Sequence, residues 1–391
     1  MRAGPVTRVC IDARSLPAGA VNGTSVYAVE LIRHLPRSIE LTVLAGSPAQ
    51  RAALDGLSVR TVLDVPDCDI FHRPSQFYPP ATLDLFLTTR AHPVITYLDL
   101  ISYRTPALFD TPALHREYCA MSFASLHSAQ AVLAISEHGR REIIDEFGLP
   151  EGRVHRIHLG VDAAFFGARD PQKNLEVLRR RGLGGPYFFC SGSDYPHKNL
   201  GPLLRGYAWL RSIWKGPGAV PGLVLIGPRS GAPGGIFQLG ESPAPGVRYL
   251  GTVDRSEVPA LYQEALAFVY PSSYEGFGLP ILEAMAAGTP VLCSRLTSVP
   301  EVAGNAALYL DQFSLDEFAE RMLALATDGD LRRRLIEAGR QRAQKFRWEE
   351  TARRTAEVYA AVVAQPAPDA LLRRRMIGAL TSLDWGAPPR P

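Results

Sequence analysis

The stretch "PSSYEGFGLPILEAMAAGTPV", residues 271–291, decides the fold of the second half of this chain. It follows the apolar run "AFVY" (267–270), which has the length of a strand. After Pro280 comes "ILEAMAAG" (281–288), which is predicted to be a helix. Pro280 would open this helix and Gly288 would end it, because proline is favoured in the first turn and glycine just past the last. A strand, a loop and a helix in this order are typical of a parallel α/β sheet. The loop is therefore predicted at the carboxyl end of a strand, where open α/β sheets bind ligands.

The loop itself has the features of an anion site flanked by acids. Gly276 and Gly278 permit a close approach of the backbone, and the N–H groups of Phe277 to Leu279 lie at the start of the helix, where they attract negative charge. Glu275 and Glu283 stand on either side, and a phosphate would repel both, so we expect them to face hydroxyl groups. A nucleotide sugar would fit such a site, because it has a diphosphate in the middle and a hydroxyl-rich sugar at each end. The alternative is an ordinary loop with an exposed Glu275 and with Glu283 as a helix N-terminal acid.

The rest of the chain repeats the alternation of apolar strand-length runs and helical segments. The first set begins with "RVCIDA" (8–13) and ends with "RVHRIHLGVD" (153–162), and a second set begins with "PYFFCSG" (186–192). The pattern predicts two α/β domains of similar size. The predicted parts are a first domain at 1–165, a linker at 166–184, a second domain at 185–360 and a tail at 361–391.

Composition excludes several classes of protein. The chain has 391 residues, long enough for two cores, and a net charge of only +3, which argues against nucleic-acid binding. Its five cysteines are scattered, so neither a disulfide framework nor a metal site is expected. No Gly-x-Gly-x-x-Gly fingerprint follows the first strand, which disfavours a dinucleotide oxidoreductase. No apolar run reaches the ~20 residues of a membrane span, and no signal peptide is apparent, so a cytoplasmic protein is expected.

"EGFGLPILE" (275–283) resembles the acid–seven–acid motif of the family 4 retaining glycosyltransferases, a GT-B group also known as glycosyl transferases group 1. The resemblance implies two Rossmann-like α/β domains that face each other across a cleft, an acceptor domain at 1–165 and a nucleotide-sugar-binding domain at 185–360. It covers nearly the whole chain up to about residue 360. Its other carriers are "AISEHGRREIIDEFGLPEGRVHRIHLGVD" (134–162), "SGSDYPHKNL" (191–200), the segment 251–304 and "FRWEETARRTAEVY" (346–359).

The resemblance also implies roles for the residues of the motif. Glu275 would contact the hydroxyls of the donor sugar, Glu283 would hold the ribose diol, and the backbone from Gly276 to Leu279 would hold the diphosphate. Lys198 would neutralise the leaving phosphate, since a positioned cation stabilises charge that develops in the transition state. The family needs no metal and no cofactor for this step. The alternative for Lys198 is an exposed lysine before a helix.

Further donor contacts are implied with less support from the motif. The family often carries an arginine in the loop before the lysine, and Ser193 or a backbone amide would substitute for it here. Arg229 in "IGPR" is another candidate for the diphosphate. The base would lie near Thr252 and Val253, and because backbone contacts do not reveal which base is bound, uridine and guanosine donors both stay open.

The first half contains two shorter matches. "AVNGTSVYAVEL" (20–31) resembles the glycine loop of the family, so Asn22, Gly23 and Thr24 would approach the diphosphate or the acceptor; a tight turn before a helix is the alternative. In "VITYLDLI" (94–101), Leu98 replaces a histidine that contacts the donor sugar in the family, so the resemblance does not extend to that contact. Asp99 is retained and would orient an acceptor hydroxyl, or else cap the end of the strand.

These patterns predict a metal-independent retaining transferase that moves a hexose, with mannose slightly preferred, from a GDP- or UDP-sugar to a hydroxyl of a glycan or lipid-linked acceptor. The alternatives are a sugar-nucleotide epimerase on the same fold and a degenerate transferase-like binding subunit. The tail "PAPDALLRRRMIGALTSLDW" (366–385) is either a basic helix that contacts the inner face of the membrane or a solvated helix, and the second is favoured.

Overall fold

A computed structural model of the chain describes residues 6–14, 23–77, 83–229 and 244–366. The chain divides into two compact units. Unit 1 comprises Met1–Gly160 and Trp348–Pro391, and unit 2 comprises Val161–Arg347. Each unit has a parallel sheet with helices between its strands, so the predicted α/β class is confirmed.

The described part of unit 1 contains a seven-stranded parallel sheet. Its strands are β1 (Thr7–Asp12), β2 (Ile39–Leu44), β3 (Arg60–Val62), β4 (Ile70–Arg73), β5 (His92–Tyr97), β6 (Ala131–Ala134) and β7 (Val154–Arg156). They lie in the order β3-β2-β1-β4-β5-β6-β7. Strands β4, β5 and β6 are buried along their whole length, so their sequences do not alternate between apolar and polar residues. Strand β6 is apolar throughout, whereas β4 includes the buried His72 and Arg73.

The helices of unit 1 connect these strands. They are α1 (Gly23–His34), α2 (Pro48–Ala52), α3 (Leu83–Thr88), α4 (Ile101–Arg104), α5 (Pro112–Ser128) and α6 (Glu137–Phe147), with α14 (Trp348–Val363) from the end of the chain. Side-chain caps set the starts of the longer ones: Thr111 accepts from the Leu114 N–H, and Ser136 accepts from the Gly139 N–H. Gly148 ends α6 in the left-handed conformation that favours glycine.

Helix α14 belongs to unit 1, whereas the sequence analysis placed residues up to 360 in the second domain. The hydroxyl of Tyr359 lies 2.6 Å from Nδ1 of the buried His72, and Thr351 donates a 2.7 Å hydrogen bond to the carbonyl of His158. The ring of Trp348 packs 6.4 Å from that of Tyr27 on α1. An amphipathic pattern predicts that one face of a helix is buried, but it does not identify the surface against which that face packs.

Unit 2 contains the following helices and strands among its described residues: α7 (Pro171–Arg180), β8 (Tyr187–Ser191), α8 (Leu200–Ser212), β9 (Gly222–Ile226), β10 (Val247–Tyr249), α9 (Val258–Gln263), β11 (Ala267–Tyr270), α10 (Leu279–Ala287), β12 (Val291–Ser294), α11 (Val299–Ala303), β13 (Leu308–Leu310), α12 (Leu315–Thr327) and α13 (Gly329–Ala343). The strands form a parallel sheet in the order β10-β9-β8-β11-β12-β13.

The predicted linker at 166–184 is instead part of unit 2. It forms α7, whose buried Asn174 donates to the side-chain oxygens of Gln263 and Glu264 at 3.0 and 2.8 Å. Arg181, just after α7, pairs with Glu257 at 2.5 Å. The polar composition of this segment suggested a loop, but the polar groups make long-range contacts that the composition does not reveal.

The order of the strands in unit 2 reverses between β8 and β11. These two strands are neighbours, yet their chain connections leave in opposite directions across the sheet, to β9 on one side and to β12 on the other. Such a switch point opens a crevice between the two following loops. The loop quoted at the start of the sequence analysis follows β11, and the "SGSDYPHKNL" segment follows β8, so the fold brings the two together.

Within the described residues, none of the helices is long and apolar enough to cross a membrane. The predicted basic tail, apart from its first residue, Pro366, lies outside the described residues.

Candidate functional site

Backbone and side-chain hydrogen bonds join the two loops at the switch point of unit 2. Asn199 donates from its side-chain amide to the carbonyl of Pro271 at 3.0 Å, and the Ser273 N–H donates to the carbonyl of His197 at 2.7 Å. Asn199 has a positive φ of 52°, which turns the chain sharply into α8 just after Lys198. The lysine is thereby held against the loop that carries the two glutamates.

Lys198 and Glu275 form a close ion pair in this crevice, 77 residues apart in the chain. Nζ of Lys198 lies 2.5 Å from Oε1 of Glu275, and the two side chains are only 16% and 10% exposed. The ammonium also donates to the hydroxyl of Tyr270 at 3.2 Å. Burial by itself would raise the pKa of Glu275, but the Lys198 charge and its hydrogen bonds hold that pKa below its ordinary value. The carboxylate is therefore ionised and paired with Lys198.

Glu283 lies on α10 in a different electrostatic environment. It accepts a hydrogen bond from the hydroxyl of Tyr262 at 3.3 Å, and Arg255 lies 3.5 Å from its other oxygen. Burial raises the pKa of Glu283 above its ordinary value, because the Arg255 charge only partly offsets the loss of water. Two acids eight residues apart thus have pKa values shifted in opposite directions, which is a common feature of functional sites.

Residues of the loop that follows β12 hold the loop between the two acids in place. The Glu275 N–H donates to Oγ1 of Thr297 at 3.0 Å, and the Ser298 hydroxyl reaches the carbonyls of Glu275 and Phe277 at 2.8 and 3.0 Å. The ring of Phe277 is buried and packs 5.9 Å from that of Phe346. Gly278 precedes α10 with φ 106°, a conformation that favours glycine, and Leu279 is the first helical residue. The backbone path is therefore set before any ligand binds.

The remaining predicted donor residues of unit 2 lie at the carboxyl ends of neighbouring strands. Ser193 follows β8, Arg229 follows β9, and Thr252 and Val253 follow β10. The Arg229 guanidinium lies 5.7 Å from the ring centre of Tyr249 and lines a cavity of about 640 Å³. The other arginines that line this cavity are Arg180, Arg181 and Arg248. Ser193, Arg229, Thr252 and Val253 thus follow the same ends of the strands as Lys198, and their roles stay predictions.

Two glycines allow the β8 and β9 loops to meet beside Lys198. Gly227 has φ 141°, and a Cβ placed on it would overlap the carbonyl oxygen of Gly192. Gly192 has φ 142°, and the carbon chain of Lys198 passes 3.6 Å from where its Cβ would be. The close backbone contact therefore requires glycine at 227, and the positive φ favours glycine at 192. The position of the Lys198 stem therefore depends on a contact between the ends of β8 and β9.

The predicted residues of the first half lie in unit 1. Gly23 begins the described part of α1, and Asn22 lies outside the described residues. Leu98 is buried, at 8% exposure. Asp99 accepts the Ile101 N–H on its side chain at 2.9 Å and the Gln76 amide on its carbonyl at 2.8 Å. These contacts correspond to the strand-end cap considered above, and a role toward an acceptor stays a prediction.

Three residues of the site were missed by the sequence analysis. Tyr270 is the last residue of β11, Tyr262 lies on α9, and Arg255 stands in the turn before that helix. The signal for Tyr270 was present in principle, because the last residue of a strand at a switch point borders the crevice. Tyr262 and Arg255 contact Glu283 through tertiary packing, and their spacing in the sequence gives no indication of it.

The arrangement combines two cations, Lys198 and Arg255, and a helix N-terminus, which attract an anion, with two carboxylates, which accept hydrogen bonds from hydroxyls. Among the described residues, no group of three or more histidine, cysteine, aspartate or glutamate side chains is placed to hold a metal ion. The "DCD" segment at 67–69 resembles a metal-binding Asp-x-Asp, but both acids pair with Arg8, at 2.7 and 2.8 Å.

Replacing Glu283 with glutamine is expected to stabilise the unliganded protein while it weakens ligand binding. Because the folded-state pKa of Glu283 is raised, its ionised form at pH 7 opposes folding, and the uncharged amide removes that cost. We expect the free energy of unfolding in urea to rise by about 1 kcal/mol at pH 7. The gain should vanish as the pH falls below the unfolded-state pKa of glutamate. Glu337→Gln on the exposed face of α13 is the control, and a destabilised Glu283→Gln at pH 7 would contradict the assignment.

Comparisons with known proteins identify the family of the chain and its fold. Residues 241–342 match the family model described as Glycosyl transferases group 1. The chain is 34% identical over 300 residues to the O-antigen chain mannosyltransferase B of Escherichia coli, which covers 74% of each chain. It is 29% identical over 240 residues to the MMP alpha-(1->4)-mannosyltransferase of Mycolicibacterium hassiacum, covering 60% of this chain and 55% of that one.

Solved structures show the same fold. The crystal structure of Anabaena Alr3699/HepE in complex with UDP-glucose superposes with a TM-score of 0.70 over 91% of this chain and 100% of that chain, at 15% identity. At this level of identity the likeness establishes the fold alone. Since the neighbouring structures are GT-B glycosyltransferases, the predicted GT-B class is confirmed.

Proposed function

Because the chain belongs to the glycosyl transferases group 1 family, we propose that it transfers a hexose from a nucleoside-diphosphate sugar to a hydroxyl of a glycan or lipid-linked acceptor. The observation that carries the proposal is the convergence of Lys198 and Glu275 beside the N-terminus of α10, with Glu283 on the helix itself. A cation and the backbone amides at the start of α10 suit the diphosphate, and the two carboxylates suit the hydroxyl-rich groups at either end of it.

The proposed mechanism assigns one task to each group. Lys198 and the amides from Gly276 to Leu279 stabilise the charge that develops on the leaving diphosphate. Glu275 accepts hydrogen bonds from the sugar, and Glu283 accepts them from the ribose. The departing phosphate takes the proton of the attacking hydroxyl, and attack on the same face retains the anomeric configuration. Neither a metal ion nor a cofactor has a task in this scheme.

Mannose is the proposed sugar because two relatives identical to this chain at 34% and 29% are named mannosyltransferases. The nucleotide is either GDP or UDP, and the name of one relative, O-antigen chain mannosyltransferase B, favours a glycan acceptor. Peripheral contact with the inner face of the membrane, through a lipid-linked acceptor or the basic tail, is part of the same proposal.

The test is release of nucleotide from a panel of UDP-, GDP- and dTDP-sugars by the full chain, with and without EDTA, beside a Glu275→Gln variant. We expect slow release from one donor, unaffected by EDTA and lost in the variant, and retention would then be read from the NMR spectrum of the product. Conversion of the sugar nucleotide without release would favour the epimerase. Absence of binding to every donor would favour the non-catalytic subunit.

A further inference from the structure

The two charged groups that the proposed function needs are occupied by each other in the unliganded protein. Lys198 and Glu275 are 2.5 Å apart, Glu275 as a whole residue is 7% exposed, and Tyr270 completes the contacts of the ammonium at 3.2 Å. A diphosphate can take Lys198 only by weakening this pair. Whether the Glu275 carboxylate then finds other hydrogen-bond donors depends on whether the ligand carries a sugar.

The donor and its product differ in this respect. A free nucleoside diphosphate draws Lys198 away and leaves the Glu275 carboxylate buried, close to a second negative charge and without its cation. An uncompensated buried charge is strongly unfavourable. The intact nucleoside-diphosphate sugar also draws Lys198 away, but its sugar hydroxyls donate to the carboxylate and replace the lost hydrogen bonds.

We infer that Glu275 discriminates between the sugar-bearing donor and the free nucleoside diphosphate by competing with the diphosphate for Lys198. This inference rests on the proposed function. It gives the pair a role beyond contact with the sugar: once the sugar has left, Glu275 pairs again with Lys198 and promotes release of the nucleotide. The ion pair is thus a selectivity element of the donor site.

Glu283 provides a matched comparison within the same loop and helix. Its partners are Tyr262 at 3.3 Å and Arg255 at 3.5 Å. Its proposed ligand, the ribose, is present in the donor and in the product alike. Removing its charge should therefore weaken the binding of both ligands by the same factor.

The experiment is calorimetric titration of GDP, GDP-mannose, UDP and UDP-glucose into the wild-type chain, Glu275→Gln and Glu283→Gln, without acceptor. For the nucleotide that binds, we expect Glu275→Gln to bind the free diphosphate about tenfold more tightly than wild type and the sugar-bearing donor more weakly. Glu283→Gln should bind both more weakly with an unchanged ratio. Glu275→Asp keeps the charge and should not gain affinity for the diphosphate.

The outcomes separate the inference from the proposed function. A gain in affinity is not a result that a damaged fold produces, so the expected result for Glu275→Gln would support the inference directly. Unchanged or weaker diphosphate binding by that variant, with wild-type donor binding intact, would overturn the inference alone. Failure of the wild type to bind any of the four ligands would overturn the proposed function together with it.

Discussion

Replacement of Lys198 by glutamine is expected to lower kcat of sugar transfer by roughly 10²–10³-fold, the loss that follows removal of one group aimed at developing charge. The glutamine keeps a hydrogen-bond donor near Glu275, so the backbone of the loop should not move. What is lost is the positive charge beside the leaving diphosphate. Initial rates with the donor identified by the panel would measure the effect. Lys173→Gln, an exposed lysine on α7 in the same unit, is the control and should leave kcat unchanged.

The same variant is expected to unfold more easily, and a second substitution should reverse that loss. Without Lys198, the Glu275 carboxylate is buried without a counter-charge, which costs about 3 kcal/mol at pH 7. Burial would then raise its pKa above the unfolded-state value, so part of the stability should return as the pH falls and the carboxyl takes up a proton. Lys198→Gln/Glu275→Gln should recover the stability in urea but not the transfer. Wild-type kcat in Lys198→Gln would refute the role of this lysine.

Replacement of Gly227 by alanine is expected to damage both folding and activity. The new Cβ would overlap the Gly192 carbonyl, and φ 141° is strained for any residue with a side chain. We expect the free energy of unfolding to fall by about 3 kcal/mol, the sum of strain and overpacking. Because the stem of Lys198 passes over Gly192, relief of the overlap moves the lysine, and kcat should fall by about 10²-fold.

Gly184→Ala is the matched control for this substitution. Gly184 lies in the same unit, just before β8, and a Cβ there meets no atom within 4 Å. We expect its stability in urea and its kcat to stay within error of the wild type. If Gly227→Ala behaved in the same way, the close contact between the ends of β8 and β9 would not position the lysine.

The local elements of the fold could be predicted from the sequence because their signals are local. Pro280 and Gly288 mark the two ends of α10, which the structure places at Leu279–Ala287. Long apolar runs mark the buried parallel strands. The three-residue strands β3 and β13 were not predicted, since so short a segment has no period of its own, although β7, of the same length, was predicted within 153–162.

The assembly of the candidate site was only partly predictable. The resemblance put Lys198, Glu275 and Glu283 into one site, and the structure brings them to the loops at the switch point of unit 2. The resemblance did not predict that Lys198 and Glu275 bind each other or that Tyr270 contacts Lys198. Nor did it predict that Arg255 and Tyr262 contact Glu283.

By itself, then, the sequence determined the α/β class, the strand–loop–helix around the two glutamates and the chemical types available there, because propensity, capping and apolar period act over a few residues. Only the tertiary structure decided that α14 packs on unit 1, that the polar segment 166–184 is part of unit 2, and which charges pair in the crevice. These features depend on which surfaces pack together between segments that are tens or hundreds of residues apart in the chain. The energy of a buried charge depends on the residues around it, and a local sequence pattern does not identify those residues.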